Sequence, residues 1–231
     1  KYVLFALHKV DSGFYFQMDN SITEDGLWYE GSGHYHYYAM SCLKDLSDAA
    51  IHSGINLFEN DAYRSMYTFP ILYQDPSGEL PTTNDGRVVN LYEDERAMLF
   101  ESAYRHTRDP YIVPILKNSS RNSIEALLYG VAELPEVELP PLESRLLASG
   151  QAVLRGRRDN KVTTFAAMNG MPYAGGHSHY DKLGIQFYAN GRTQAPDPGS
   201  IQYRDPKHDG WFKSSLAHNT VTLNESNQLY S

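Results

Sequence analysis

"LPEVELPPLESRLL", residues 134–147, divides the chain into two parts with different periodicity. Its three prolines fix φ and remove backbone donors, so neither a helix nor an inner strand runs through it; residues 135–146 read as a linker. Upstream, apolar residues recur at helical spacing. Ser32 is an N-cap type, and "HYHYYAMSCLKDLSDAAIHSG" (34–54) after it places Tyr35, Ala39, Cys42, Leu43, Leu46 and Ala50 on one stripe. Lys44, Asp45 and Asp48 fall off that stripe, and Gly54 is a suitable stop. Further helices are expected around "DAYRSMYTF" (61–69), "EDERAMLFESAYRHT" (93–107) and "SIEALLYGVAEL" (123–134), joined by loops such as "YQDPSGELPTTNDGR" (73–87). Downstream, "QAVLRGR" (151–157), "KVTTFAAMNG" (161–170), "LGIQFYANGR" (183–192) and "NTVTLNES" (219–226) are short, β-branched or aromatic, and punctuated by Asn-Gly turns. The fold class expected is therefore multidomain α and β: a helical array over 1–134 and antiparallel sheet over 147–231. "KYVLFALHKV" (1–10) reads like the middle of an element, and the strands after 147 like part of a sandwich, so the chain is expected to be a piece of a longer protein.

The 231 residues suffice for one large or two smaller cores. Eighteen tyrosines against nine phenylalanines suit a wet, ring-lined cleft, although half-buried core rings account for most such residues. The net charge is −8 but uneven, with 11 basic against 22 acidic residues up to 150 and 9 against 6 beyond. That acidic bulk argues against nucleic acid as a partner. Cys42 is the single cysteine, so no internal disulfide can form, and no apolar run has the length of a membrane span.

Chemistry concentrates in "GGHSHYDKLG" (175–184). On an extended backbone His177 and His179 point to the same side, which suits two ligands on one metal, or one ligand beside a free base. Asp197, held between prolines in "APDPGS", and His218, in "LAHNTV", could complete a zinc set with one position left open. Equally, Asp197 and His218 could be ordinary loop residues bonded to their neighbours. A second cluster, "DGLWYEGSGHYHYYAM" (25–40), puts His34 to Tyr38 just after a Gly-Ser-Gly corner. There Tyr35 is either a core ring or a protonated general acid; as a base it would need a neighbour to lower its pKa.

Taken together, "DGLWYEGSGHYHYYAM", "GGHSHYDKLGIQFYANGR", "DPGSIQY" and "GWFKSSLAHNTVTLNESNQ" resemble the heparinase II/III-like polysaccharide lyases, a group that includes oligoalginate lyases. The resemblance implies the later helices of an α/α toroid followed by the first strands of an antiparallel β-sandwich. It implies cleavage of an acidic, uronate-containing polysaccharide or oligosaccharide by β-elimination, alginate-type first and heparin-type next. On the matching motifs, Tyr35 and His177 are the catalytic pair. His179, Asp197 and His218 hold a structural zinc, and Tyr203, Glu30 and His34 contact substrate. A periplasmic or secreted location follows the family's habit, with the rest of the same protein or a second copy as further partners. The family's carboxylate-neutralising Asn or His would lie before Lys1, so these 231 residues alone are expected to show little activity.

Two other readings remain. "HSHYDK" approaches the HxHxDH of metallo-β-lactamase-like hydrolases but has Lys182 where a ligand is required, which leaves a zinc-dependent hydrolase as the alternative. A zinc-stabilised carbohydrate-binding module without turnover is the other. A glycosidase fits less well, because Glu30 and Asp25 lack an evident opposing carboxylate.

Overall fold

In the computed structural model, residues 1–229 are described. They divide into two units. The first comprises Lys1–Tyr29, His36–Ile71 and Leu91–Pro140; the second comprises Glu30–Tyr35, Leu72–Asn90 and the chain from Pro141 onward.

The first unit is helical: α1 (Tyr2–His8), α2 (Phe14–Asn20), most of α3 (Gly33–Ile51) and of α4 (Asp61–Tyr73), then α5 (Asp94–Ala97), α6 (Phe100–Thr107), α7 (Val113–Lys117) and α8 (Ile124–Tyr129). The helix expected over 93–107 is broken into α5 and α6, and that over 123–134 stops at Gly130. Tyr37, Phe58, Tyr63, Tyr67 and Phe100 meet largely edge-on in the core, which accounts for part of the tyrosine excess.

The buried face of α3 follows the apolar spacing only in part: Ala39 and Ala50 of the stripe are buried, but the rest of that face is displaced. Tyr37, Met40, Lys44, Ser47 and Asp48 are buried, whereas Cys42 is exposed and Leu43 and Leu46 are half-buried. An ion pair causes the difference: Lys44 Nζ lies 3.0 Å from Asp48 Oδ2 and 3.6 Å from Glu125 Oε1, and Ser102 Oγ donates to Asp48 Oδ1 at 2.9 Å. Buried charges persist when paired and hydrogen-bonded, and hydropathy alone does not register the pairing. Ser32 does precede the helix, yet its hydroxyl is buried with no hydrogen bond among the described residues, so it is not a side-chain cap. Gly54, at φ +78°, closes the C-terminal turn as expected.

In the second unit, β1 (Glu79–Leu80) pairs with β2 (Val89–Asn90). The main sheet is antiparallel, with β3 (Arg145–Leu146), β4 (Gln151–Arg158), β5 (Lys161–Asn169), β6 (Gly184–Ala189) and β7 (Arg192–Ala195) in that spatial order. Two-residue turns with positive φ make the hairpins, Asp159–Asn160 between β4 and β5 and Asn190–Gly191 between β6 and β7. The strand expected at "NTVTLNES" does not form; that segment holds only the bridge Leu223↔Ser226. A strand is defined by ladder partners, and Asn219 O to Ile185 N, 3.1 Å, is its contact with β6.

Two devices fasten Leu72–Asn90 to this sheet. The Arg155 guanidinium covers the Phe165 ring at 5.1 Å and donates to the carbonyls of Leu72 (2.8 Å) and Gln74 (2.9 Å). Gln186 accepts from Thr82 N at 2.9 Å and donates to Thr82 O, reading the backbone as a neighbouring strand would. The second device lies three residues before Asp85. Between β5 and β6 runs the connection 170–183, which carries both histidines of "GGHSHYDKLG".

Candidate active site

Every residue of the site belongs to the second unit. Its frame is the turn Thr83-Asn84-Asp85-Gly86. Asn84 takes a left-handed conformation, φ +56°, as asparagine tolerates. From there Thr83 Oγ1 donates to Gly31 O at 2.7 Å and Asn84 Nδ2 to Glu30 O at 2.9 Å. Asn84 Oδ1 accepts from His179 N, and Asp85 N donates to His177 O at 3.0 Å. The Gly-Ser-Gly corner and the histidine connection are thereby held by one turn.

The Asp85 carboxylate is the hub. Its Oδ2 faces His177 Nδ1 at 2.9 Å; its Oδ1 faces His179 Nε2 at 3.0 Å and His208 Nε2 at 2.7 Å, and accepts from Ser200 Oγ at 3.0 Å. Burial alone would raise its pKa, but the bonds from His179, His177 and His208 outweigh that and hold it well below the usual carboxylate range.

On the solvent side, the Tyr35 ring stacks on His177 with centroids 4.2 Å apart. The Tyr35 hydroxyl makes a short hydrogen bond with the Tyr203 hydroxyl, which also lies 3.4 Å from His177 Nδ1. His177 Nε2 is 3.5 Å from Glu30 Oε1. Burial, reinforced by the Tyr203 bond, pushes the Tyr35 phenol above its ordinary range, so it stays protonated at neutral pH and can donate. His34 packs edge-on against Tyr35 and, with Tyr35, Asp85, Arg87, Ser200, Tyr203 and Arg204, lines an open cleft of about 500 Å³. All five residues expected at the catalytic and substrate positions therefore meet in one place.

His177 and His179 do not lie on a strand as expected; the connection is irregular, and Gly176–His177 form a turn. Their side chains are separated in exposure, 32% for His177 against 0% for His179. His179 faces inward, its centroid 5.3 Å from that of His218. Asp197 Oδ2 is 2.7 Å from His218 Nδ1, and Asp197 Oδ1 accepts from Gly199 N at 2.9 Å. Burial disfavours a charged His218, but the bond and charge of Asp197 outweigh it and raise the pKa.

His179 Nδ1, His218 Nε2 and Asp181 Oδ1 are buried with no hydrogen bond among the described residues, although Lys182 Nζ approaches Asp181 Oδ1 at 3.5 Å. Ligand atoms of Asp181, Asp197 and His218 all lie within 4.8 Å of one another. The group brought together thus holds Asp181 beside the expected Asp197 and His218 and fits a divalent cation such as zinc; the expected His179 is not in that group, although its unpartnered Nδ1 sits on a ring that neighbours His218.

Asp85, His208, Ser200 and Asp181 were not singled out from the sequence. Asn-Asp-Gly reads as an ordinary turn, and nothing local in "DPKHDGW" distinguishes His208, which opens a π-helical turn, His208–Phe212.

The fold and site thus define a class: a helical unit and an antiparallel-sheet unit, the latter pairing a phenol with an imidazole beside a cluster suited to a cation. Residues 139–230 match the family model described as Heparinase II/III-like, C-terminal, in agreement with the resemblance the motifs carry. A heparin-sulfate lyase of Bacteroides stercoris is 26% identical over 220 residues, covering 91% of this chain and 30% of that protein. An alginate lyase of Stenotrophomonas maltophilia is 34% identical over 88 residues, 33% of this chain and 11% of that one. The crystal structure of a heparan sulfate lyase from Pedobacter heparinus superposes with a TM-score of 0.71 at 19% identity, covering 94% of this chain and 33% of its own. The chain spans a third or less of the length of these relatives.

Proposed function

We propose that this chain is part of a polysaccharide lyase that cleaves uronate-containing polymers by β-elimination, with alginate-type substrates favoured and heparin-type next. The helical unit is read as the later part of an α/α toroid and the sheet as the start of a β-sandwich. The observation that carries the reading is the stack of Tyr35 on His177 beside the Tyr203 hydroxyl, at the edge of a cleft that also presents Arg87 and Arg204.

The chemistry assigns a role to each group. The C5 proton of a uronate becomes acidic when the adjacent carboxylate is neutralised, and Arg87 and Arg204 supply positive charge on that side. His177 Nε2 takes the C5 proton. The electron pair forms the C4–C5 double bond as the C4–O4 bond breaks, and Tyr35 protonates the departing O4. Each proton transfer contributes typically ~100- to 10,000-fold. Glu30, His34 and Tyr203 border the sugar. Zinc, when bound by His179, Asp197 and His218, supplies a fixed positive charge that cross-links the histidine connection, the Asp-Pro-Gly loop and the segment at His218. A periplasmic or secreted location, the habit of the family the motifs resemble, belongs to the same proposal; no helix among the described residues is long and apolar enough to cross a membrane.

The test is a product assay of the complete protein on polymannuronate, polyguluronate, heparin and heparan sulfate. A lyase yields the ultraviolet absorbance of the C4–C5 double bond. New reducing ends without that absorbance, abolished by chelation, would instead establish the hydrolase. Sugar binding with no product would establish a non-catalytic module.

A further inference from the structure

We infer that Asp85 is a positioning residue that sets opposite tautomers on two histidines, leaving the lone pair on Nε2 of His177, which stacks on Tyr35, and on Nδ1 of His179, whose ring neighbours His218. The His177 half of this rests on the lyase reading above; the His179 half does not.

Geometry and valence carry the inference. A neutral imidazole has one N–H and one lone pair, and an ionised carboxylate only accepts. The nitrogen that faces Asp85 must therefore carry the hydrogen. For His177 that nitrogen is Nδ1, 2.9 Å from Oδ2; for His179 it is Nε2, 3.0 Å from Oδ1. Each ring's other nitrogen keeps its lone pair. On His177 that is Nε2, on a side chain 32% exposed; Glu30 Oε1 lies 3.5 Å from it, the outer limit of a hydrogen bond, so the closer Asp85 at 2.9 Å holds the proton on Nδ1. On His179 it is a buried atom with no hydrogen bond among the described residues. His208 Nε2 and Ser200 Oγ occupy the remaining capacity of Oδ1, and the Asp85 amide is bonded to His177 O, so the carboxylate cannot swing to serve one histidine alone. One buried side chain thus orients the proton-transfer group and the cation ligand together.

An amide at this position cannot do both. The oxygen of Asp85→Asn can replace Oδ1 and keep its three donors, and its NH₂ then faces His177 Nδ1. That forces the Nε2–H tautomer on His177 and removes the Nε2 lone pair that the base role requires. In the complete protein, Asp85→Asn should lower kcat by roughly 100- to 10,000-fold with KM within threefold. Asp85→Ala, which loses both contacts, should also weaken zinc binding by roughly 10- to 100-fold in competition with a chelator. Because these variants could misfold, the wild type provides a separate readout. Imidazole ¹⁵N shifts should report Nδ1–H on His177 and Nε2–H on His179 in the zinc-loaded protein. Either the reverse tautomers, or folded variants whose kcat and zinc affinity stay within threefold of wild type, would overturn the inference. If the wild type makes no unsaturated product, the lyase reading fails; Asp85 is then judged on zinc affinity and the His179 tautomer.

Discussion

Tyr35 lies against His177 with ring planes inclined by 27° and centroids 4.2 Å apart, so the imidazole is held directly behind a phenol that lines the cleft. Tyr35→Phe keeps the stacked ring and deletes only the hydroxyl bonded to Tyr203. In the complete protein kcat should fall by roughly 100- to 10,000-fold, with KM and sugar binding changed only a few-fold. The rate of ultraviolet absorbance gain measures this. Activity within threefold of wild type would remove Tyr35 from the proton path.

The inward cluster predicts a metal requirement of a structural kind. Elemental analysis of the complete protein should give one zinc per chain, with His179→Ala and His218→Ala each reducing it to near zero. Zinc at a thousandfold excess over its dissociation constant should stabilise the protein by about 4 kcal/mol. Stripped protein whose melting temperature does not respond to added zinc would show that the cluster at His179, Asp197 and His218 is not a metal site.

Much of this site was legible before the structure because its members sit in compact motifs. His177 and His179 are two apart, Asp197 is pinned by prolines, and Tyr35 follows a glycine corner. Strands β4, β5 and β6 were legible from their β-branched and aromatic residues and from the Asn-Gly turn after β6, whereas β3 lies at the end of the expected linker and β7 in no expected strand. Asp85 was not legible. Its role comes from four partners at 177, 179, 200 and 208, and no local pattern encodes a contact across some hundred residues. The α3 stripe covers only part of the buried face, because Lys44 and Asp48 are polar by type and buried by pairing. "NTVTLNES" has the composition of a strand, but composition does not supply a ladder partner.

The α3 finding makes a stability prediction that opposes the apolar-stripe reading. Asp48→Ala leaves the Lys44 ammonium without its main buried partner and should cost roughly 3–5 kcal/mol. Lys44→Met combined with Asp48→Leu removes both charges and should cost clearly less than the two single changes summed. Cys42→Ser, on the exposed side, should stay within about 0.5 kcal/mol of wild type. Urea unfolding of wild type, these variants and the single changes Lys44→Met and Asp48→Leu decides the matter. A large Cys42→Ser effect with a small Asp48→Ala effect would reinstate the stripe.

His36, one residue beyond the catalytic tyrosine candidate, is fully buried and structural, and it gives the fold a pH dependence of its own. Its Nδ1 accepts from Trp28 N at 3.1 Å, and its Nε2 donates to Met66 O at 2.8 Å, which fixes the neutral Nε2–H form. Protonation would set a second N–H against the Trp28 N–H. Burial accordingly lowers the His36 pKa from 6.5 to about 4, with the Met66 bond and Asp25 only partly opposing it. Between those two values the unfolded chain binds a proton that the folded chain refuses. The contribution is therefore complete above pH 6.5 and is lost as pH falls toward 4. Its full size is about 3 kcal/mol as an upper bound. His36→Gln keeps a donor for Met66 without a titrating group. The variant should be less stable than wild type at pH 7, and the gap should narrow by more than about 1 kcal/mol at pH 4.5. Urea midpoints for both proteins at the two pH values measure it, and an unchanged gap would mean that His36 carries no proton linkage.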